Sequence, residues 1–147
     1  TNDVKCAFLV ELSESLIEII GKNNIRFQKQ SKNEGELRPC LRAIINSCGN
    51  EIFKREIQFD LEKILTCLVN TRVNIMHIKI NQRKPCLDGA ESILYAIKLS
   101  YLYRVVVLEK LKIDRNLYID NVEKRISYLD KWNNTLEDLS NRLACIN

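Results

Sequence analysis

An all-α antiparallel bundle of about five helices, cross-linked by three disulfides, is the fold class that the 147-residue sequence predicts. Three observations carry that expectation. Only 4 Gly and 2 Pro are present, too few turn formers for the many reversals of an all-β chain. Apolar residues recur every three to four positions over long stretches, which is the period of a helix with one buried face. Six cysteines make an even set, as in a disulfide framework.

The first helix is expected from about Val4 to Ile20, with Val4, Phe8, Leu12, Leu16, Ile19 and Ile20 as its apolar stripe. Asp3 is placed to cap its start, and Gly21, Asn23 and Asn24 to end it. Residues 22–35 are polar and read as a loop with a short helical turn. A second helix follows from Leu37 to Cys48, with Pro39 in its first turn and Leu41, Ile44 and Ile45 facing inward. Gly49 and Asn50 can stop it. The third helix is expected over Ile57 to Asn81, although alternation beyond Asn70 also resembles a strand. The fourth has the strongest start signal, Asp88-Gly89-Ala90-Glu91, a capping-box spacing. It runs to about Lys112 and is apolar nearly all round between Ile93 and Leu108, as suits the centre of a bundle. The fifth starts at Asp120-Asn121-Val122-Glu123 and carries a near-heptad seam of Val122, Ile126, Leu129, Trp132, Leu136, Leu139 and Leu143. With no repeat and no low-complexity stretch, residues 1–147 read as one domain.

The cysteines are Cys6, Cys40, Cys48, Cys67, Cys86 and Cys145. No pair has the two-residue spacing of a zinc or redox motif. Cys40 and Cys48 on one helix would stand about 12 Å apart at 1.5 Å rise per residue, beyond disulfide reach. Cys86 and Cys145 are equidistant from a turn near residue 115, and Cys40 and Cys67 from a turn near Phe53. The geometric expectation is therefore Cys6–Cys48, Cys40–Cys67 and Cys86–Cys145. Disulfides persist in oxidising compartments, so a secreted, extracellular protein is expected. The polar opening Thr1-Asn2-Asp3 reads as a mature form. Asn133-Asn134-Thr135 is a glycosylation sequon, with Asn133 as the acceptor. No apolar run reaches the roughly 18 residues of a transmembrane helix.

The net charge is +4, too small to imply nucleic acid by itself, and basic residues are not interleaved with aromatics as in a single-strand binder. His77 is the only histidine and lies in an Ile/Met-rich stretch, where a structural role is expected. Glu11, Glu14 and Glu18, and Glu56 with Asp60, read as solvated helix faces. Neither a Gly-rich phosphate loop nor a nucleophile elbow is present, so neither catalysis, metal nor cofactor is expected. Lys22, Arg26, Lys29 and Lys32 fall three to four apart and would form a basic strip if helical, a candidate interaction surface. Arg83 and Lys84 add a smaller basic spot. Tyr95, Tyr101 and Tyr103 are expected to pack at the core and its edge.

In size and cysteine content the chain resembles short-chain helical cytokines and the helical immune modulators of insect saliva, without a shared motif. That resemblance implies a non-enzymatic secreted protein that binds an extracellular protein partner. It is also similar to insect odorant-binding proteins, six-cysteine helical carriers of small apolar ligands. Their pattern places three residues between the second and third cysteines, whereas seven separate Cys40 from Cys48.

Overall fold

The computed structural model describes residues 1–21, 29–77, 84–131 and 135–144. These form seven α-helices and one short 3-10 turn at Arg115–Leu117, with no strand among the described residues. Helix α1 spans Asn2–Ile20, α2 Leu37–Cys48, α3 Lys54–Phe59, α4 Leu61–Met76, α5 Gly89–Lys110, α6 Ile119–Lys131 and α7 Thr135–Ala144.

Local signals explain most of the boundaries. Thr1, not Asp3, caps α1, its hydroxyl accepting from the Val4 N–H. Asp88 and Glu91 close the reciprocal capping box that opens α5. The expected third helix is two helices. Asp60 ends α3 in an extended conformation, and its carboxylate accepts from the Lys63 N–H to start α4. An N-cap aspartate inside the stripe thus divided what the apolar period alone had joined. The fifth expected helix is α6 and α7, between which residues 132–134 lie outside the described set.

Helix α5 is central, as its all-round apolarity predicted, and packs on α1, α2, α6 and α7. Leu41, Ile44 and Ile45 of α2 are fully buried. The α6–α7 seam also faces inward through Ile126, Leu136 and Leu139. Helix α1 is a correction. Its buried face is Cys6, Ala7, Val10, Ser13, Leu16 and Ile17, whereas Phe8 and Ile19 of the expected stripe are 68% and 64% exposed. Leu16 of the stripe is buried, but the rest of the inward face is a different set of residues, and most of the expected stripe is left outside.

Among the described residues the disulfide framework is not present. Cys6, Cys48, Cys67 and Cys86 carry free thiols, and no disulfide joins any two described cysteines, so Cys6–Cys48 and Cys40–Cys67 are not bonded. Cys145 lies outside the described residues. The equidistance argument assumed one turn near Phe53, but α3 occupies that place. Cys48 points elsewhere and donates to Glu109 Oε2 on α5 at 3.1 Å. Burial pushes the thiols of Cys6 and Cys48 up to about 12, helped by Asp3 and Glu109 respectively. Burial likewise lifts Cys67 to about 11.

A second correction concerns Glu56. The sequence suggested a solvated carboxylate, yet Glu56 is buried and pairs with buried Lys98 of α5. Tyr95 donates to the same Glu56 oxygen at 3.2 Å, and Asp130 of α6 approaches Lys98 at 2.8 Å. Tyr103 is nearly buried and donates to the Leu9 carbonyl. Tyr101 is half-buried under the Arg104 guanidinium. The aromatic expectations thus hold. Among the described residues no helix is long and apolar enough to cross a membrane.

Candidate functional site

Helix α4 runs out at Met76, and His77 takes an extended conformation (φ −122°, ψ 96°) while its N–H still donates to the Val73 carbonyl at 2.9 Å. Three polar side chains of α4 bind the returning chain. Asn70 Nδ2 donates to the Pro85 carbonyl at 2.8 Å, Asn74 Nδ2 to that of Lys84 at 3.3 Å, and Thr71 Oγ1 accepts from the Leu87 N–H at 2.9 Å. This lacing brings Lys84 beside the end of α4.

A groove of about 540 Å³ lies along the same helix. Thr66, Val69, Asn70, Arg72 and Val73 form one wall, Glu11 and Glu14 of α1 another, and Asn33–Glu36 with Leu37 and Arg38 a third; Lys84 stands at its rim. His77 follows one turn beyond Val73, the last α4 residue lining the groove, and it is exposed rather than a core histidine.

The groove mixes both signs of charge. Arg72 Nε donates to Glu11 Oε2 at 2.7 Å. Glu14 is pushed up, first by partial burial, then by the charges of Glu11 and Glu36, with Arg72 opposing. At the far end Glu34 is buried among cations. Arg38 Nε donates to it at 2.8 Å, Arg42 also binds it, and the Gln30 N–H adds a bond at 2.6 Å. Burial alone would raise this carboxyl, but Arg42 and Arg38 outweigh that effect and hold it at about 2. Arg42 also pairs with Glu62 at 2.6 Å, and Arg38 with Thr66 Oγ1 at 2.9 Å, so the network ties the connection before α2 to α4.

The residues singled out by sequence are not gathered here. Lys22, Arg26, Arg83 and Asn133 lie outside the described residues. Lys29 pairs with Glu36, and Lys32 is exposed; neither lies in a helix, so no helical basic strip forms at these two positions. Glu11 and Glu14 were read as solvated and instead line the groove. Arg72 was missed altogether. The available signal was an arginine five positions before the only histidine, flanked by Asn70 and Asn74, at the end of a helix. Among the described residues no cluster of three or more His, Cys, Asp or Glu could hold a metal ion.

A chemical reading follows from the side-chain types. A guanidinium is a permanent, forked donor suited to phosphate or carboxylate, and imidazole is the side chain suited to moving protons near neutral pH. The first can bind a phosphoryl group, and the second can transfer protons.

Residues 6–117 match the model of a protein family, Apea-like HEPN. No curated protein and no solved structure matches the chain. The match covers more than half of the sequence, and with the free thiols it overturns the expectation of a secreted, disulfide-bonded immune modulator, cytokine-like ligand or apolar-ligand carrier. That expectation rested on an even cysteine count, and Cys6, Cys40, Cys48 and Cys67 are core side chains.

Proposed function

The chain belongs to the Apea-like HEPN family, and from that premise we propose that it is an RNA-cleaving domain with its reaction centre at the C-terminal end of α4. HEPN domains are often RNase-type enzymes or antitoxins, which weighs against the sequence-based expectation of a non-enzyme. The observation that carries the reading is Arg72 in the groove wall with His77, the sole histidine, five positions on and exposed just past the end of α4.

In the proposed reaction the ribose 2′-oxygen forms a bond to the adjacent phosphorus and the bond to the 5′-oxygen breaks. Neutral His77 takes the 2′-hydroxyl proton and returns it to the departing 5′-oxygen. Arg72 offsets the negative charge that builds on the phosphoryl oxygens. Exposed Lys84 beside the groove favours approach of the polyanion. The products are a 2′,3′-cyclic phosphate and a 5′-hydroxyl.

The test is incubation of the purified protein with mixed-sequence RNA, followed by end-group analysis. Cleavage leaving those two ends, absent on 2′-O-methyl RNA and in the His77→Ala and Arg72→Ala variants, is the expected result. Binding without cleavage, or cleavage indifferent to both substitutions, would overturn the assignment.

A further inference from the structure

We propose that Glu11 is a positioning residue for Arg72, holding its guanidinium by Nε so that the Nη1/Nη2 edge is left for an RNA phosphate; this rests on the reading of the site given above. The salt bridge crosses from α1 to α4, with Nε 2.7 Å from Glu11 Oε2. Among the described residues the hydrogen bond to Glu11 comes from Nε, and neither Nη1 nor Nη2 makes a hydrogen bond with protein. A guanidinium presents a rigid planar fork, so a partner at the inner nitrogen fixes the plane and leaves the terminal pair for bidentate binding. The Arg72 side chain is 22% exposed, enough for a ligand to reach it.

The brace itself is well anchored. Glu11 follows fully buried Val10 on a 19-residue helix packed on α4 and α5. Without it Arg72 would be a long side chain at the last turns of α4, free to sample several rotamers, and ordering it would fall to the substrate. Glu14, one turn on, makes no hydrogen bond to Arg72 and meets it only through its charge, so one carboxylate fixes the guanidinium's position.

The experiment compares RNA cleavage by Glu11→Ala, Glu11→Gln, Arg72→Ala and the Glu11→Ala/Arg72→Ala double variant, with kcat and KM separated. Misplacing a charged group by an ångström can cost about 100-fold, so Glu11→Ala should lower kcat by about 10- to 100-fold. Glu11→Gln keeps an acceptor oxygen and should retain most of the rate. The double variant should be no slower than Arg72→Ala alone, because Glu11 acts only through Arg72. Should the alanine variant fail to fold by circular dichroism, Glu11→Asp, which withdraws the carboxylate by one methylene, should show the same kcat loss in a smaller measure. Glu11→Ala at or above the wild-type rate would instead make Glu11 a competitor of phosphate and overturn the proposal. A double variant in which the two losses multiply would overturn it too. If Arg72→Ala and His77→Ala leave cleavage intact, the reading of the site has failed and this role falls with it. If they abolish cleavage while Glu11→Ala does nothing, the positioning role alone has failed.

Discussion

Lys98 Nζ lies 2.7 Å from Glu56 Oε1, with the Lys98 side chain 0% and the Glu56 side chain 1% exposed. The pair joins α3 to the central helix α5 in the interior. Charges taken out of water cost several kcal/mol each unless paired and hydrogen-bonded. Here Tyr95 supplies a further bond to Glu56, and Asp130 a second anion to Lys98. Replacing Glu56 by Ala should therefore cost about 3–5 kcal/mol, because Lys98 loses its closest buried partner. Lys98→Met combined with Glu56→Leu should cost clearly less than the sum of the two single changes. Urea denaturation of the four proteins measures this, and additive losses would show that the pair is not coupled.

The Glu34 network makes acid stability a second test. The carboxyl of Glu34 is held at about 2, below its ordinary 4.5, by Arg42, Arg38 and the Gln30 N–H against the opposing effect of burial. A depressed carboxyl binds fewer protons folded than unfolded between those values. Its contribution is therefore fully present above about pH 5 and is lost as pH falls towards 2. Wild type should lose thermal stability across that window, and Glu34→Gln should lose less of it there. At pH 7 the same substitution should cost roughly 3 kcal/mol, since two arginines lose a buried partner. Equal pH dependence in both proteins would count against the assignment.

Thiol chemistry gives a third. With Cys6 and Cys48 raised to about 12 and Cys67 to about 11, the thiolate form is scarce at pH 8, and thiolate is the reactive species. Iodoacetamide at pH 8 should label these three slowly in the native protein and quickly in denaturant. Mass spectrometry of tryptic peptides reads the site of each label. Rapid native labelling of Cys6 would contradict its complete burial.

For the site itself, His77→Ala and Arg72→Ala should each reduce RNA cleavage by about 100-fold or more, the scale of a lost proton-transfer group or charge stabiliser. His77 is exposed at the end of its helix, so His77→Ala should change stability by no more than about 0.5 kcal/mol. Arg72→Ala also loses one part-exposed pair, worth at most about 1 kcal/mol. Steady-state rates alongside melting curves separate the two effects. A variant that loses activity only in proportion to unfolded protein would speak for a structural role.

Helix class and several boundaries were legible because local chemistry decides them. The Asp88–Glu91 capping box satisfies backbone donors whatever packs around it, and the stripe of α2 can be buried in only one way. The Asp60 cap was equally local, but the apolar period running through it hid the break. The Arg72–His77 spacing was written in the chain too, yet a histidine among Ile and Met reads as core until its exposure is known.

What the sequence by itself determined, then, is which segments are helices and which of them is apolar all round, since backbone hydrogen bonding and hydrophobic period act within a few residues. Tertiary structure alone decided the rest. It turned the face of α1 that carries Cys6, Val10 and Ile17 inward and left Phe8 and Ile19 outside. It buried Glu56 against Lys98, forty-two positions away. It buried Cys6, Cys48 and Cys67 as thiols and set Glu11 beside Arg72, sixty-one positions away. Each of these outcomes depends on which surfaces meet across helices, and that is a property of the packed chain rather than of any local stretch of it.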